Sequence, residues 1–279
     1  MTKRVRKAVL PVAGLGTRVL PGAKTTPKNM LNIFDRPILS YVVEEARAAG
    51  IEHIVFVTGR GQGAIEDYFD ANPEIETALE AKGKTDILAE VRADLPKPGG
   101  MSFVRQMAPL GLGHAVWCAR HIIGDEPVAV MLPDMLMAAD TPALAQAVAS
   151  YEKVGGNIIA VEPCPDGEAH KYGIVALDGQ DGRLNRMTGM VEKPAPGTEP
   201  SNLFISGRYI LQPEIFDLLE RQGKGAGGEI QLTDGMVQLM KTQTFHALEY
   251  DGVTYDCGDK IGLLRANVAF ALRRPEFAD

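Results

Sequence analysis

"VLPVAGLGTRVLPGAKTTPK" (residues 9–28) begins as a short apolar run, breaks into glycine, and continues as a loop carrying Arg18, Lys24 and Lys28 without a carboxylate. Residues 7–12 read as a buried strand ended by a turn at Gly14 and Gly16. Those glycines match the first two of a G-x-G-x-x-G fingerprint, and Asp35 lies near the place, about 20 residues on, where a ribose-binding acid belongs. Val19, however, occupies the third glycine position, and Pro21, Gly22 and Pro27 forbid the helix that should start there. No G-K-[ST] ending for a P-loop follows either. The segment is therefore an irregular loop after a strand. Its glycines let backbone amides approach an anion, with cations close by.

Outward from this loop, the pattern alternates. Residues 37–50 read as an amphipathic helix with Pro37 at N1 and Gly50 at C′. Strands are expected at 53–58, 102–107, 128–133 and 157–163. Helices are expected in 64–69 and the stretch after it, at 114–123 and at 143–154. Strand–helix alternation implies parallel βαβ units with a sheet covered on both faces. After Pro163 the pieces YGIVAL, RMTGMVEK and NLFISGRYIL follow with little helix between them. They suggest a small antiparallel insertion against the C-terminal edge of the sheet. Helices return at 213–222, 229–241 and 259–274. The expected fold is thus a Rossmann-like, mostly parallel α/β sheet flanked by helices. It forms a single domain over 1–279, with a nucleotide-binding half (1–163) and a second half (164–279).

The 279 residues are 45% hydrophobic and carry 29 Lys and Arg against 36 Asp and Glu, a net charge of −7. An acidic chain of this kind is a poor wrapper of nucleic acid or binder of anionic membrane, both of which need a basic face. Cys118, Cys164 and Cys257 match no disulfide or zinc spacing and are expected to stay reduced in a cytosol. The N-terminal apolar stretch is short and interrupted by Pro11, so it reads as the first strand rather than a signal peptide. No run approaches the ~18 apolar residues of a membrane span. A cytoplasmic protein is expected.

Ligands of open α/β sheets sit beyond the carboxyl ends of the strands. This singles out the loop at 14–28, then 58–63, 106–114, 133–135 and 162–172. Asp134, just past an apolar strand, and Asp256, beside Gly258, are carboxylates suited to a magnesium ion shared with phosphates. Gln106 at a strand end, followed by Gly111, Gly113 and His114 at a helix start, could read the polar edge of a heterocycle. Glu192 and Lys193 are adjacent at a strand end, where neighbours point to opposite faces, so separate partners are expected for them. Among the five histidines no nucleophile or zinc pattern emerges.

The string VAGLGTR-x-LP-x-AK-x-x-PK-x-ML (12–31) resembles the signature of the nucleoside-triphosphate:sugar-1-phosphate nucleotidylyltransferases. GLGHAV, LPD, KYGIV, VEKP, PSNL, GRY, GEIQLTD and YDCG-x-K then follow in the order found in the bacterial UTP–glucose-1-phosphate uridylyltransferases. The resemblance runs from about Lys7 to about Phe270. It implies that Ala13, Gly14 and Gly16 hold the nucleotide, with Arg18 on the triphosphate and Lys28 on the phosphates at the reacting centre. It further implies that Gln106, Gly111, Gly113 and His114 contact uracil, and that Asp134 and Asp256 hold Mg2+. Glu192 would bind sugar hydroxyls, Lys193 the phosphate of glucose 1-phosphate, and Gly173 and Asn202 the rest of the sugar pocket. UTP and glucose 1-phosphate are the implied substrates, and a homodimer or homotetramer the implied assembly. The chain departs from the pattern in places: Asn29 stands where Glu is usual, Asp259 where Asn is frequent, and Gly22 and the Thr25–Thr26 pair are unusual. A thymidylyltransferase, or an enzyme for another sugar 1-phosphate, is the rival within the class. An inactive nucleotide-sugar-binding regulator is the rival outside it, and intact Lys28, Asp134, Lys193 and Asp256 argue against it.

Overall fold

The computed structural model describes residues 2–225, 228–274 and 277. The first half runs β1 (Lys7–Pro11), a short hairpin β2 (Asn32–Ile33) and β3 (Arg36–Pro37), then α1 (Ile38–Ala48) and β4 (His53–Thr58). Next come α2 (Gly63–Tyr68), α3 (Pro73–Ala81), α4 (Thr85–Ala93), β5 (Met101–Arg105), α5 (Leu112–Cys118) and α6 (Arg120–Ile123). It closes with β6 (Val128–Met131), β7 (Met135–Ala138), α7 (Ala143–Val154) and β8 (Asn157–Pro163). The second half contributes β9 (Gly173–Leu177), β10 (Leu184–Glu192), β11 (Leu203–Leu211), α8 (Ile215–Arg221) and α9 (Leu232–Leu239). The described elements end with β12 (Phe245–Glu249), β13 (Val253–Asp256) and α10 (Lys260–Ala271).

No helix follows Gly16. The chain instead makes single 3-10 turns at Thr17–Val19 and Lys28–Met30, as the prolines require. Pro37 precedes the first helical residue rather than occupying N1, while Gly50 takes the left-handed conformation (φ 85°) expected past a helix end. The 114–123 segment starts earlier than expected, at Leu112, and divides at Ala119 into α5 and α6. Helix α4 is an addition to the elements expected from the sequence.

A nine-stranded sheet in the order β5-β4-β1-β6-β11-β8-β12-β10-β9 organises the molecule. β5, β4, β1 and β6 are parallel neighbours, which is the alternating βαβ pattern of the first half. The antiparallel strands of the second half do not form a separate layer at the edge. β11 enters between β6 and β8, antiparallel to both, while β10 runs against β12 and β9. Burial explains its place: every residue of β11 is buried, and a strand apolar on both faces needs cover on both. β9 also returns to pair with β11 at Phe204, so the second half of the sheet curls toward its own centre.

Alternation sorts the strand residues to two faces. Val9, Val55, Val57 and Val130 join α5, α8 and α9 in one core, whereas Ala8, Leu10, Ile54, Phe56, Ala129 and Met131 join α1, α2 and α7 in the other. A buried ion pair crosses the second core. Arg208 of β11, fully buried, donates from Nε and Nη2 to Glu45 of α1 at 3.0 and 2.7 Å. Removing one partner of such a pair costs ~3–5 kcal/mol, because the other charge is left buried alone. Exposed pairs such as Lys3–Asp125 are worth at most about 1 kcal/mol.

Candidate active site

The loop after β1 folds back so that Lys28 lies beneath its glycines. A Cβ on Gly14 would stand 3.5 Å from Lys28 Cε, and Gly16, at φ 67°, sits against Lys28 Cβ. From there Lys28 Nζ donates to Asp134 Oδ2 at 2.5 Å. Asp134 is presented by a tight turn after β6, closed by Met135 N donating to Leu132 O at 3.3 Å. Lys24, by contrast, is exposed and joins neither carboxylate.

Asp134 and Asp256 are far apart in sequence, and the β7–β13 ribbon joins them. The antiparallel register sets Asp256 opposite Met135, and Cys257 N donates to Asp134 O at 2.8 Å. Arg18 Nη1 reaches Asp256 Oδ2 at 3.5 Å. The absence of a side chain at Gly258 leaves the space in which these groups meet. A Cβ there would lie 2.5 Å from Arg18 Nη2, 2.7 Å from Asp256 Oδ1 and 3.1 Å from Asp134 Oδ2. Burial alone would raise the Asp134 carboxyl, but Lys28 and Arg18 hold it below the usual carboxylate range. Burial pushes Asp256 up and Asp134 adds to the rise, while Gly258 N–H and Arg18 oppose it. Two carboxylates of this kind beside an open space fit a hard divalent cation. Among the described residues no group of three or more His, Cys, Asp or Glu could hold a metal, so phosphate oxygens or water would have to complete the shell.

At the far side of β4 and β5, Gln106 N continues the sheet by donating to Thr58 O at 2.8 Å. Its side-chain amide donates to Gly111 O at 3.0 Å and meets His114 Nδ1 at 3.1 Å. The Gly111 carbonyl fixes which end of the amide is the donor, so Nδ1 must accept and the His114 proton is on Nε2. Burial, then the charge of Arg120, lowers the His114 pKa, in keeping with a neutral ring. Gly111 is irreplaceable on two counts: its φ is 106°, and a Cβ would come within 2.7 Å of Ile230 O. Gln62, which the sequence did not single out, bridges the neighbouring loop by accepting from Gly59 N at 2.8 Å and donating to Gly14 O at 3.5 Å. Gly59 in turn packs against Ala13.

β10 ends at Glu192, opposite Gly173 of β9. Here the expectation of separate partners fails. Lys193 has a left-handed backbone (φ 49°), so strand alternation stops at Glu192 and the two side chains pair, Nζ to Oε1 at 3.6 Å. Lys193 N is held by Tyr172 O at 2.9 Å, and Glu192 Oε2 accepts from Thr233 Oγ1 of α9 at 2.9 Å. Thr233 lies inside the GEIQLTD string, where spacing gave no sign of this role. Gly173 leaves room for the Glu192 carboxylate, 3.2 Å from where a Cβ would be. Asn202 engages through its carbonyl, which accepts from Cys164 N at 2.6 Å, while its side chain is exposed.

Of the other strand-end residues, Glu162 anchors β13 by accepting from Thr254 N at 3.0 Å. Asp35 pairs with Arg274 near the C-terminus. Asp259 caps α10, accepting from Gly262 N at 2.8 Å, a task that Asn performs equally well. Asn29 is fully buried, with neither side-chain polar atom bonded among the described residues.

A family model described as nucleotidyl transferase matches residues 7–271. The chain is similar to the UTP--glucose-1-phosphate uridylyltransferase of Bacillus subtilis, with 49% identity over 99% of this chain and 94% of that protein. Among solved structures it is similar to a UTP-bound UGPase from Acinetobacter baumannii, at TM-score 0.91 and 44% identity over 98% of this chain and 95% of that one. It is also similar to a UDP-glucose pyrophosphorylase complexed with UDP-glucose, at TM-score 0.86 and 38% identity over 97% and 100%.

Proposed function

The chain belongs to the nucleotidyl transferase family, and from that premise we propose that it transfers the uridylyl group of UTP to glucose 1-phosphate, giving UDP-glucose and pyrophosphate. The observation that carries this reading is the meeting of Lys28, Arg18, Asp134 and Asp256 around the open space at Gly258. A phosphate oxygen of glucose 1-phosphate attacks the α-phosphorus of UTP, and the bond to the β-phosphate bridging oxygen breaks with its electrons leaving on pyrophosphate. A phosphate monoester has its second pKa near 6 and is already largely ionised at neutral pH, so no base is required. What remains is to bring two polyanions together. At ~4 Å and an effective dielectric of ~20, each opposing charge supplies about 4 kcal/mol.

Lys28 and Arg18 neutralise the triphosphate. The glycines at 14 and 16, with Ala13, admit its backbone contacts, and Gln106, Gly111, Gly113 and His114 receive the base. Lys193 holds the attacking phosphate while Glu192 binds sugar hydroxyls, with Gly173 and Asn202 contributing to the sugar pocket. Asp134 and Asp256 would hold Mg2+, which would supply further positive charge at the reacting centre. Lys28, paired with Asp134 at 2.5 Å, lies where its ammonium would also reach the phosphates. The whole chain acts as one domain, a nucleotide half (1–163) and a sugar half (164–279). The shared nine-stranded sheet supports the single domain.

Two expected outcomes follow from these assignments. Glu192→Gln should raise KM for glucose 1-phosphate roughly tenfold and change kcat less, the scale of one hydrogen bond to a charged group. Steady-state kinetics in both substrates reads this split. The chain also acts as a homodimer or homotetramer, which an apolar stripe on the outer face of α10 supports. Ile261, Leu264, Val268 and Leu272 recur at helical spacing, each more than half exposed. Light scattering should give a mass that is a multiple of 30.1 kDa, and Leu264→Asp should reduce it to the monomer. A cytoplasmic setting is supported by the free Cys118, Cys164 and Cys257. Among the described residues no helix is long and apolar enough to cross a membrane. The reading itself is tested by pyrophosphate release that requires both UTP and glucose 1-phosphate.

A further inference from the structure

We infer that Arg208, locked by Glu45, is a positioning residue that aims Asp134 into the site. This rests on the reading of Asp134 as a metal-holding carboxylate.

The backbone of Leu132, two residues before Asp134, is held at both ends. Its N–H donates to Gly207 O at 2.9 Å, and its carbonyl closes the turn by accepting from Met135 N at 3.3 Å. That same carbonyl accepts from Arg208 Nη1 at 2.9 Å, and Nη1 also reaches Gly207 O at 3.4 Å. The guanidinium therefore grips the one acceptor on which the Asp134 turn closes. Its other edge is held as a fork by Glu45 at 3.0 and 2.7 Å, which leaves a planar group with no rotational freedom. Glu45 Oε1 also accepts from Leu144 N at 3.0 Å, in the first turn of α7, whose preceding residue Pro142 provides no side-chain cap. Through this one fully buried arginine, β11, α1 and the start of α7 fix the direction in which β6 delivers its carboxylate.

A polar guanidinium is an odd choice for a fully buried position in the central strand. Apolar packing would serve stability as well, since buried ion pairs are often replaceable by hydrophobic groups without loss. What an apolar side chain cannot do is hold the Leu132 carbonyl. Stability and metal affinity should consequently separate in the variants.

The test measures Mn2+ binding in the presence of UTP, without sugar phosphate, by the loss of the free-ion EPR signal. The Arg208→Met, Glu45→Leu double variant removes the pair without stranding a buried charge. It is expected to fold and to bind Mn2+ about tenfold more weakly than the parent, with UTP affinity in EDTA little changed. Should that protein fail to fold, Glu45→Gln keeps the shape while loosening the fork, and is expected to weaken Mn2+ about threefold. Leu39→Ala, an apolar truncation in the core of α1, is the control and should leave Mn2+ affinity as in the parent. Unchanged Mn2+ affinity in the folded double variant, or in Glu45→Gln, overturns the proposal. So does a loss in Leu39→Ala equal to that of the ion-pair variants, because the effect would then be general loosening. If the parent itself releases no pyrophosphate from UTP and glucose 1-phosphate, the underlying functional reading fails instead. That result is distinct from every outcome above.

Discussion

Asp134→Ala should lower kcat/KM by on the order of 10²–10³-fold, the scale of losing one preorganised electrostatic contact at a reacting centre. The structure adds a second, opposite consequence. Asp134 faces Lys28 at 2.5 Å, and in the proposed function its charge lies where the triphosphate must come. Removing it frees Lys28 and deletes a repulsive neighbour. UTP binding measured in EDTA should therefore be as tight as in the parent or tighter, while turnover with Mg2+ collapses. A variant merely damaged in folding would lose both together. Turnover within a factor of about ten of the parent would exclude Asp134 from the reacting centre.

Lys193→Ala should cost a similar 10²–10³-fold in kcat/KM, but for a different reason and with a different control. The residue has a left-handed backbone (φ 49°), which a side chain rarely adopts and glycine adopts freely. Lys193→Gly consequently keeps the turn held by Tyr172 O while removing the cation. If charge is what matters, the glycine and alanine variants should be equally inactive, and Lys193→Arg should recover part of the activity. A glycine variant with near-parental kinetics would show that the backbone turn, rather than the ammonium, is the functional element.

These two residues also mark the limits of what the sequence discloses. The edges of β4, α7 and β8 are legible to the residue, since local apolar period and flanking glycines define them. The broken helix after Gly16 was equally legible, because proline chemistry is local. The place of β11 was not. Its apolar run says that it is covered on both faces, but no local pattern says that it lies between β6 and β8, antiparallel to each. The pairing of Glu192 with Lys193 escaped for a related reason. Alternation holds only while the strand continues, and a left-handed lysine has no sequence signal of the kind a glycine gives.

The site itself was legible as a set of residue types, and its assembly was not. Asp134 and Asp256 become neighbours through the β7–β13 register, and Arg18 and Lys28 reach them only because the first loop folds back. Gln62, Thr233 and Arg208 carry no spacing that marks them. What distinguishes them is the hydrogen bonds they make across the fold, to Gly14, Glu192 and Leu132.

The most direct test of the account is pyrophosphate release by the purified protein with glucose 1-phosphate and Mg2+. It should be run in parallel against UTP, dTTP, ATP, CTP and GTP, with EDTA as the control. Release should depend on metal, be strongest with UTP and be matched mole for mole by UDP-glucose. Stronger release with dTTP, or measurable UTP binding without release from any nucleotide, would contradict it.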